Sequence, residues 1–242
     1  METRVRESAF GGWLRGFEQE AAARAAAGDP DWARGARLDP SVVRSLQRFQ
    51  VGENGDGAFL IDKARRSGDP EYAAAVRLFV AEEQNHARLL GLLLEAAGAP
   101  TIGAHWSDSV FVLARRAMGL RLELLVLMVA EVVAVAYYQA LYEGTADPLT
   151  AEVARRLVED ERRHVPFHCM RLREGIGRPA RAAMIAFWRV LVAGGAVVVA
   201  AGHGRALRRL GRGRARFLLD VRAAAHAAAA DMRGREAPAG RQ

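Results

Sequence analysis

Cysteine is almost missing: Cys169 is the single one in 242 residues. A lone thiol excludes an internal disulfide framework, a zinc finger and a cysteine-ligated iron–sulfur cluster, and it fits a reducing compartment. Lysine is equally scarce. Lys63 stands alone among 35 basic residues, so arginine carries the net charge of +7. The stretch from Met1 to Glu7 lacks the apolar run of a secretory signal, and a cytoplasmic location is expected. Nucleotide signatures are also lacking. Gly52-Glu-Asn-Gly-Asp-Gly57 has three glycines, but no strand pattern precedes it and no Gly-Lys-Ser/Thr follows. There is no flavin or nicotinamide motif. An arginine cluster (Arg205, Arg208, Arg209, Arg212, Arg214, Arg216) has no interleaved aromatics, so a solvated helix face is the first reading and no nucleic-acid partner is expected.

What is present is a repeat. An offset of 78 residues carries Glu53 onto Glu131, Glu83 onto Glu161 and His86 onto His164. The same offset carries Asp69-Pro70 onto Asp147-Pro148, Arg77 onto Arg155, and Glu82 onto Asp160. Asp-Pro starts a helix, with Asp as N-cap and Pro at the first helical position. Glu83-x-x-His86 and Glu161-x-x-His164 each set a carboxylate and an imidazole three residues apart. On a helix that is about 60° of rotation and about 4.5 Å of rise, so both side chains can reach one ion. Each copy is therefore read as a helix–turn–helix giving one lone Glu and one Glu-x-x-His.

With 51% hydrophobic residues the chain can bury a sizeable core. The apolar spacing predicts helices over roughly 40–66, 70–97, from Ser107-Asp108 to Glu143, 148–174 and 180–202, with further helix over 205–233. From Leu124 to Tyr138 the only charge is Glu131, a carboxylate too costly to bury without a partner or a metal. Leu120, Leu124, Leu127, Glu131, Ala134, Tyr138 and Tyr142 form one inward stripe. Residues 1–38 form a peripheral segment with an amphipathic helix from Glu7 to Ala27, a strap across the bundle. The glycines after Glu53 have two readings: room for a substrate beside a metal, at Gly57 and near Ala134, or a local helix break with close packing. His105 reads as a loop histidine. Cys169 reads as a core residue. His168, one turn after His164, is a packed or supporting residue rather than a ligand, and Tyr138 is a core tyrosine with a bonded hydroxyl.

The helix over 180–202 has no charge from Val190 to Ala201, twelve residues that are too few to span a bilayer; stretched back to Ala182 it nearly spans, with Arg189 inside. Docking on the bundle is the first reading and lying at a membrane surface the second.

The doubled series of Glu and (Asp/Glu)-Glu-x-x-His over roughly residues 40–174 resembles the ferritin-like di-iron carboxylate superfamily. The resemblance implies an all-α fold, a ferritin-like antiparallel four-helix bundle with a long crossover (39–175); to this the residues add an N-terminal helix (1–38), two extra C-terminal helices (176–233) and a frayed tail (234–242). It also implies two Fe ions, or Mn/Fe, held by Glu53, Glu83, His86, Glu131, Glu161 and His164. Glu83 and Glu161 would bridge, each histidine would cap one ion, and Glu82 and Asp160 would accept bonds from the ligand histidines. The activity implied is that of an O2-activating oxygenase or oxidase acting on a small organic substrate, with electrons from an external donor protein. A ferroxidase or rubrerythrin-like peroxide scavenger is the alternative, and a membrane-surface quinol oxidase or hydroxylase the third. Membrane-surface contact and a homodimer stay open as partners.

Overall fold

A computed structural model describes residues 9–55, 57–103 and 119–234. Among them the regular structure is helical throughout, with one short 3-10 turn at Trp32–Arg34 and no strand. The α-helices are α1 (Gly11–Ala27), α2 (Pro40–Glu53), α3 (Ala58–Arg65), α4 (Pro70–Ala96), α5 (Leu120–Gly144), α6 (Pro148–Arg173), α7 (Arg178–Gly202), α8 (Gly204–Arg209) and α9 (Arg214–Arg233).

Of the four Asp-Pro steps, those at 39–40, 69–70 and 147–148 open helices. Asp39 accepts from the Ser41 N–H, Asp69 from that of Tyr72 and Asp147 from that of Thr150, at 2.8–2.9 Å. Each satisfies one of the orphan donors of a helix start. The long helices then bury an apolar face. α2 packs on α4, α4 on α6 and α6 on α5. Phe49 of α2 stacks on Tyr137 of α5 with ring centroids 3.8 Å apart, which closes the circuit. In α5 the charged Glu131 sits among buried Leu127, Met128, Val132 and Tyr138. α7 and α9 pack against α5 and each other, so the C-terminal segment docks on the helices that carry the repeat.

Four expectations need correction. The helix predicted over 40–66 is two helices, α2 and α3, broken after Glu53. Gly57 sets the break, with φ of 61° in the left-handed region, and a Cβ there would lie 2.4 Å from Val80 Cγ1. The glycine answers backbone conformation and close helix approach; it does not leave room beside the cluster. Tyr142 is 40% exposed instead of inward, because it lies at the end of α5 beyond the packed core. The N-terminal segment is more than a strap: Phe10 and Phe17 are fully in the core, with Phe17 edge-on to Phe167. The helix expected over 205–233 is interrupted by Gly211 and Gly213, giving α8 and α9. The predicted start at Ser107-Asp108, His105 and the last eight residues of the tail lie outside the described residues.

Among the described residues two helices are long and apolar enough to cross a membrane by composition: α5, with 72% of its most apolar window buried, and α7, with only 22%. The first is a core helix by this measure; the second is not.

Candidate metal centre

The six side chains singled out by the repeat converge. Ligating atoms of Glu53, Glu83, His86 and Glu161 lie within 4.8 Å of one another, and so do those of Glu83, Glu131, Glu161 and His164. The two groups share Glu83 and Glu161 and differ in one lone Glu and one histidine each. The helices explain the convergence. α4 and α6 each supply a Glu-x-x-His from one face, while α2 and α5 supply Glu53 and Glu131.

Both imidazoles present Nδ1 to the carboxylates. His164 Nδ1 is 3.1 Å from Glu83, 3.4 Å from Glu131 and 3.6 Å from Glu161. His86 Nδ1 is 3.6 Å from both Glu83 and Glu161. The opposite ring nitrogens are held from behind. His86 Nε2 is 3.1 Å from Asp160, and His164 Nε2 is 2.8 Å from Glu82. The acid ahead of each motif thus bonds the histidine of the other copy. Such a bond fixes the ring and leaves Nδ1 as the free donor atom, as supporting carboxylates do at metal-bound histidines.

The electrostatics are those of a site short of positive charge. Burial, and then the Glu83 carboxylate, push the Glu53 carboxyl well above the ordinary range; the Tyr138 hydroxyl, donating to Glu53 Oε1 at 2.5 Å, opposes them in part. Burial and the neighbouring Glu131 raise Glu161 in the same way. Burial also works against ionised Glu131, but the His164 imidazole outweighs it and holds that carboxyl below the ordinary range. For His164 burial would lower the pKa, yet the carboxylates around it, Glu131 first, push it well up. Cations placed among these carboxylates would relieve the repulsion that raises Glu53 and Glu161.

The fit to metal rests on these features and on orphaned atoms. Nδ1 of both histidines, Oε1 of Glu83, and Oε2 of Glu131 and Glu161 are buried and make no hydrogen bond. Buried polar atoms without partners are costly. Five of them aimed at one small volume match a set of ligands. Four carboxylates with two imidazoles are a donor set able to hold metal ions.

Two residues of the surround have no counterpart in the sequence reading. Arg24 of α1 lies 2.6 Å from Glu82 and 3.3 Å from Asp160. Arg163 of α6 pairs with Asp160 and lies 3.4 Å from Glu82. Together they bridge the two supporting carboxylates. Asp160 is far below its usual range: burial opposes this, but the bond to His86 and the two guanidinium charges prevail. Arg163 is three residues after Asp160, so helical spacing hints at it. Arg24 is invisible until α1 is packed across α4.

The other candidates fall to the side. His168 is fully buried but sets its ring edge-on to Phe79, centroids 4.5 Å apart, outside both ligand groups. Ala134 is a core residue one turn beyond Glu131. Cys169 is buried against the Ala228 carbonyl, 3.4 Å away, and burial pushes its thiol up. No protein-family model matches the chain, and no curated protein does either. The functional argument therefore stands on the cluster.

Proposed function

We propose that this chain is a ferritin-like carboxylate protein that binds two iron ions, or manganese and iron, and uses them in an O2-dependent oxidoreductase reaction on a small organic substrate. The observation that carries the reading is the overlap of the two ligand groups in Glu83 and Glu161. Two carboxylates common to two sites are what a pair of adjacent cations needs. Glu53 with His86 would complete one site and Glu131 with His164 the other. When bound, such a pair supplies electrons for the reduction of O2. The residues of the chain do the rest. Asp160 and Glu82 orient the rings, Arg24 and Arg163 pair with those acids, and the apolar walls of Phe17 and Phe79 exclude water from the His164 side.

Tyr138 donates its hydroxyl proton to Glu53 Oε1 at 2.5 Å and so positions the one ligand at a helix end. Electrons would come from an external donor protein, because the sequence has no redox-cofactor motif of its own.

The second reading is ferroxidase or peroxide-scavenging chemistry at the same centre. It is favoured by one feature: Glu53 and Glu83 are only half-buried, beside the break between α2 and α3. Ions or peroxide could enter there without a shaped substrate cavity.

The test is anaerobic reconstitution with Fe(II), counting of bound metal, and then admission of O2. The expected result is two ions per chain, O2 uptake that depends on them, and loss of both ions in Glu161→Ala. Fewer than one ion per chain in the purified, reconstituted protein would overturn the reading. Rapid O2 uptake with ferric product and no effect of any organic reductant would move it to the ferroxidase side.

A further inference from the structure

Helix α7 has two apolar faces, and among the described residues only one is packed. Ile185, Trp188, Val192, Ala196 and Ala200 follow one another at three- and four-residue steps and are buried against α5 and α9. The opposite face is exposed. Phe187 is 52% accessible, Val190 69%, Val197 57% and Val198 55%. Ala183, Ala186, Ala193, Gly194 and Ala201 are exposed between them. At about 1.5 Å per residue this strip runs roughly 30 Å. A helix that is hydrophobic all round belongs in a protein core or in lipid, and a continuous exposed patch of this kind marks an interaction surface.

The charge around the strip selects what covers it. From Gly175 to Leu219 there are nine arginines and no Asp or Glu. Arg178 at one end of α7, Arg189 midway along it, and Arg205 and Arg208 just beyond the other end on α8 are all exposed. A second copy packed antiparallel across the same strip would bring Arg178 of one chain towards Arg205 and Arg208 of the other and the two Arg189 side chains together. That interface would hold no acid on the facing segments to relieve them. An anionic lipid surface removes both difficulties: the acyl region takes the valines and Phe187, and the headgroup phosphates take the guanidinium groups, whose long stems let them reach the interface. The buried inner stripe holds α7 to the rest of the protein, so the helix would lie in the plane of the surface instead of crossing it.

We propose that α7 is a membrane-surface docking helix that binds anionic lipid through the face bearing Phe187, Val190, Val197 and Val198. The proposal goes beyond the metal centre and does not depend on it. A substrate drawn from the same lipid phase would be consistent with such docking, but docking is what is tested.

The experiment is co-sedimentation of the full chain with vesicles of phosphatidylcholine alone and of phosphatidylcholine with phosphatidylglycerol, with sedimentation velocity of the protein by itself. Binding is expected to the phosphatidylglycerol vesicles, to weaken with added salt, and to drop by about tenfold or more in the Val190→Asp/Val197→Asp double variant. The Arg205→Glu/Arg208→Glu variant leaves the apolar face intact and is expected to lose the preference for anionic lipid, which gives a readout should the first variant not fold. Equal binding of both vesicle types with no salt dependence would overturn the proposal, as would no binding of the wild-type chain to either. A wild-type dimer that Val190→Asp/Val197→Asp dissociates, with no vesicle binding, would assign the face to a second copy.

Discussion

His164 and Glu82 belong to different halves of the repeat, yet Nε2 of the first lies 2.8 Å from Oε2 of the second. His86 and Asp160 make the reciprocal bond at 3.1 Å. The repeat is therefore cross-linked: each helix bears its own carboxylate and imidazole and props up the imidazole of the other. A supporting bond of this kind typically contributes a factor of about 10–100 in metal affinity. Glu82→Ala is expected to weaken the ion next to His164 by that factor and Asp160→Ala the ion next to His86. Glu82→Gln, which keeps an acceptor without the charge, should fall at the lower end. Calorimetric titration with Mn(II) reads the change. Unaltered affinity in both alanine variants would mean that the bonds do not position ligands.

The sharing of Glu83 and Glu161 gives a stoichiometric prediction. Glu53→Ala and Glu131→Ala each remove a group found in one ligand set only, and each should leave one ion bound. Glu161→Ala removes a group common to both and should leave none. Metal analysis after gel filtration distinguishes the pattern. A single ion in all three variants would argue for one site in place of two.

The doubled motif was legible because helices preserve spacing: six residues at one offset had to share faces on equivalent helices, and the cap chemistry of Asp69-Pro70 and Asp147-Pro148 fixed where those helices start. Glu82 and Asp160 were legible for the same reason, by their place before each motif. Arg24 was not, because it reaches the site through the packing of α1 on α4, and no local pattern encodes that contact. The break at Gly57 was half-legible. Three glycines in six residues signalled a cost to the helix, but only the approach of Val80 says which of them is indispensable.

That difference predicts opposite signs within one short stretch. Gly57→Ala must place a side chain in the left-handed region and against Val80 at 2.4 Å, and should destabilise the protein by about 2–4 kcal/mol. Gly52 lies inside α2 with open space around its would-be Cβ, so Gly52→Ala should stabilise by about 0.5 kcal/mol. Urea unfolding of both variants is the check. Destabilisation of the same size in each would mean that the segment needs glycine for flexibility, not for shape.

The cap at Asp147 carries a pH dependence. Its carboxylate accepts from Thr150 N at 2.8 Å, Thr150 Oγ1 at 2.7 Å and Arg37 N at 3.0 Å. Burial opposes ionisation, but these donors prevail and hold the carboxyl below its ordinary value of 3.8. A depressed folded pKa means that the unfolded chain binds more protons in the acid range. The stabilisation is therefore complete above 3.8 and lost as pH falls through the folded value. Asp147→Ala should cost about 1 kcal/mol at neutral pH, and the gap from wild type should close as the pH is lowered below 3.8. Thermal melts across that range follow it; a gap that widens in acid would contradict the assignment.

Lys63, the only lysine of the chain, lies 2.6 Å from Glu123 with its side chain 10% exposed and that of the glutamate 2%. The pair ties α3 to α5 on the far side of the break that follows Glu53. Two charges taken out of water gain little as a pair over an apolar contact, but removing one takes from the other a partner 2.6 Å away. Lys63→Met is therefore expected to destabilise the protein, and Lys63→Met with Glu123→Leu to recover part of the loss. Because α3 is anchored by this pair and by Leu60 in the core, the single variant should also release the segment next to Glu53, seen as faster hydrogen exchange over 57–66. The double variant should restore protection there. If the single variant lost stability with no change in exchange near Glu53, the pair would hold α5 alone, and the break after α2 would be fixed by Gly57 and Val80 without help from α3.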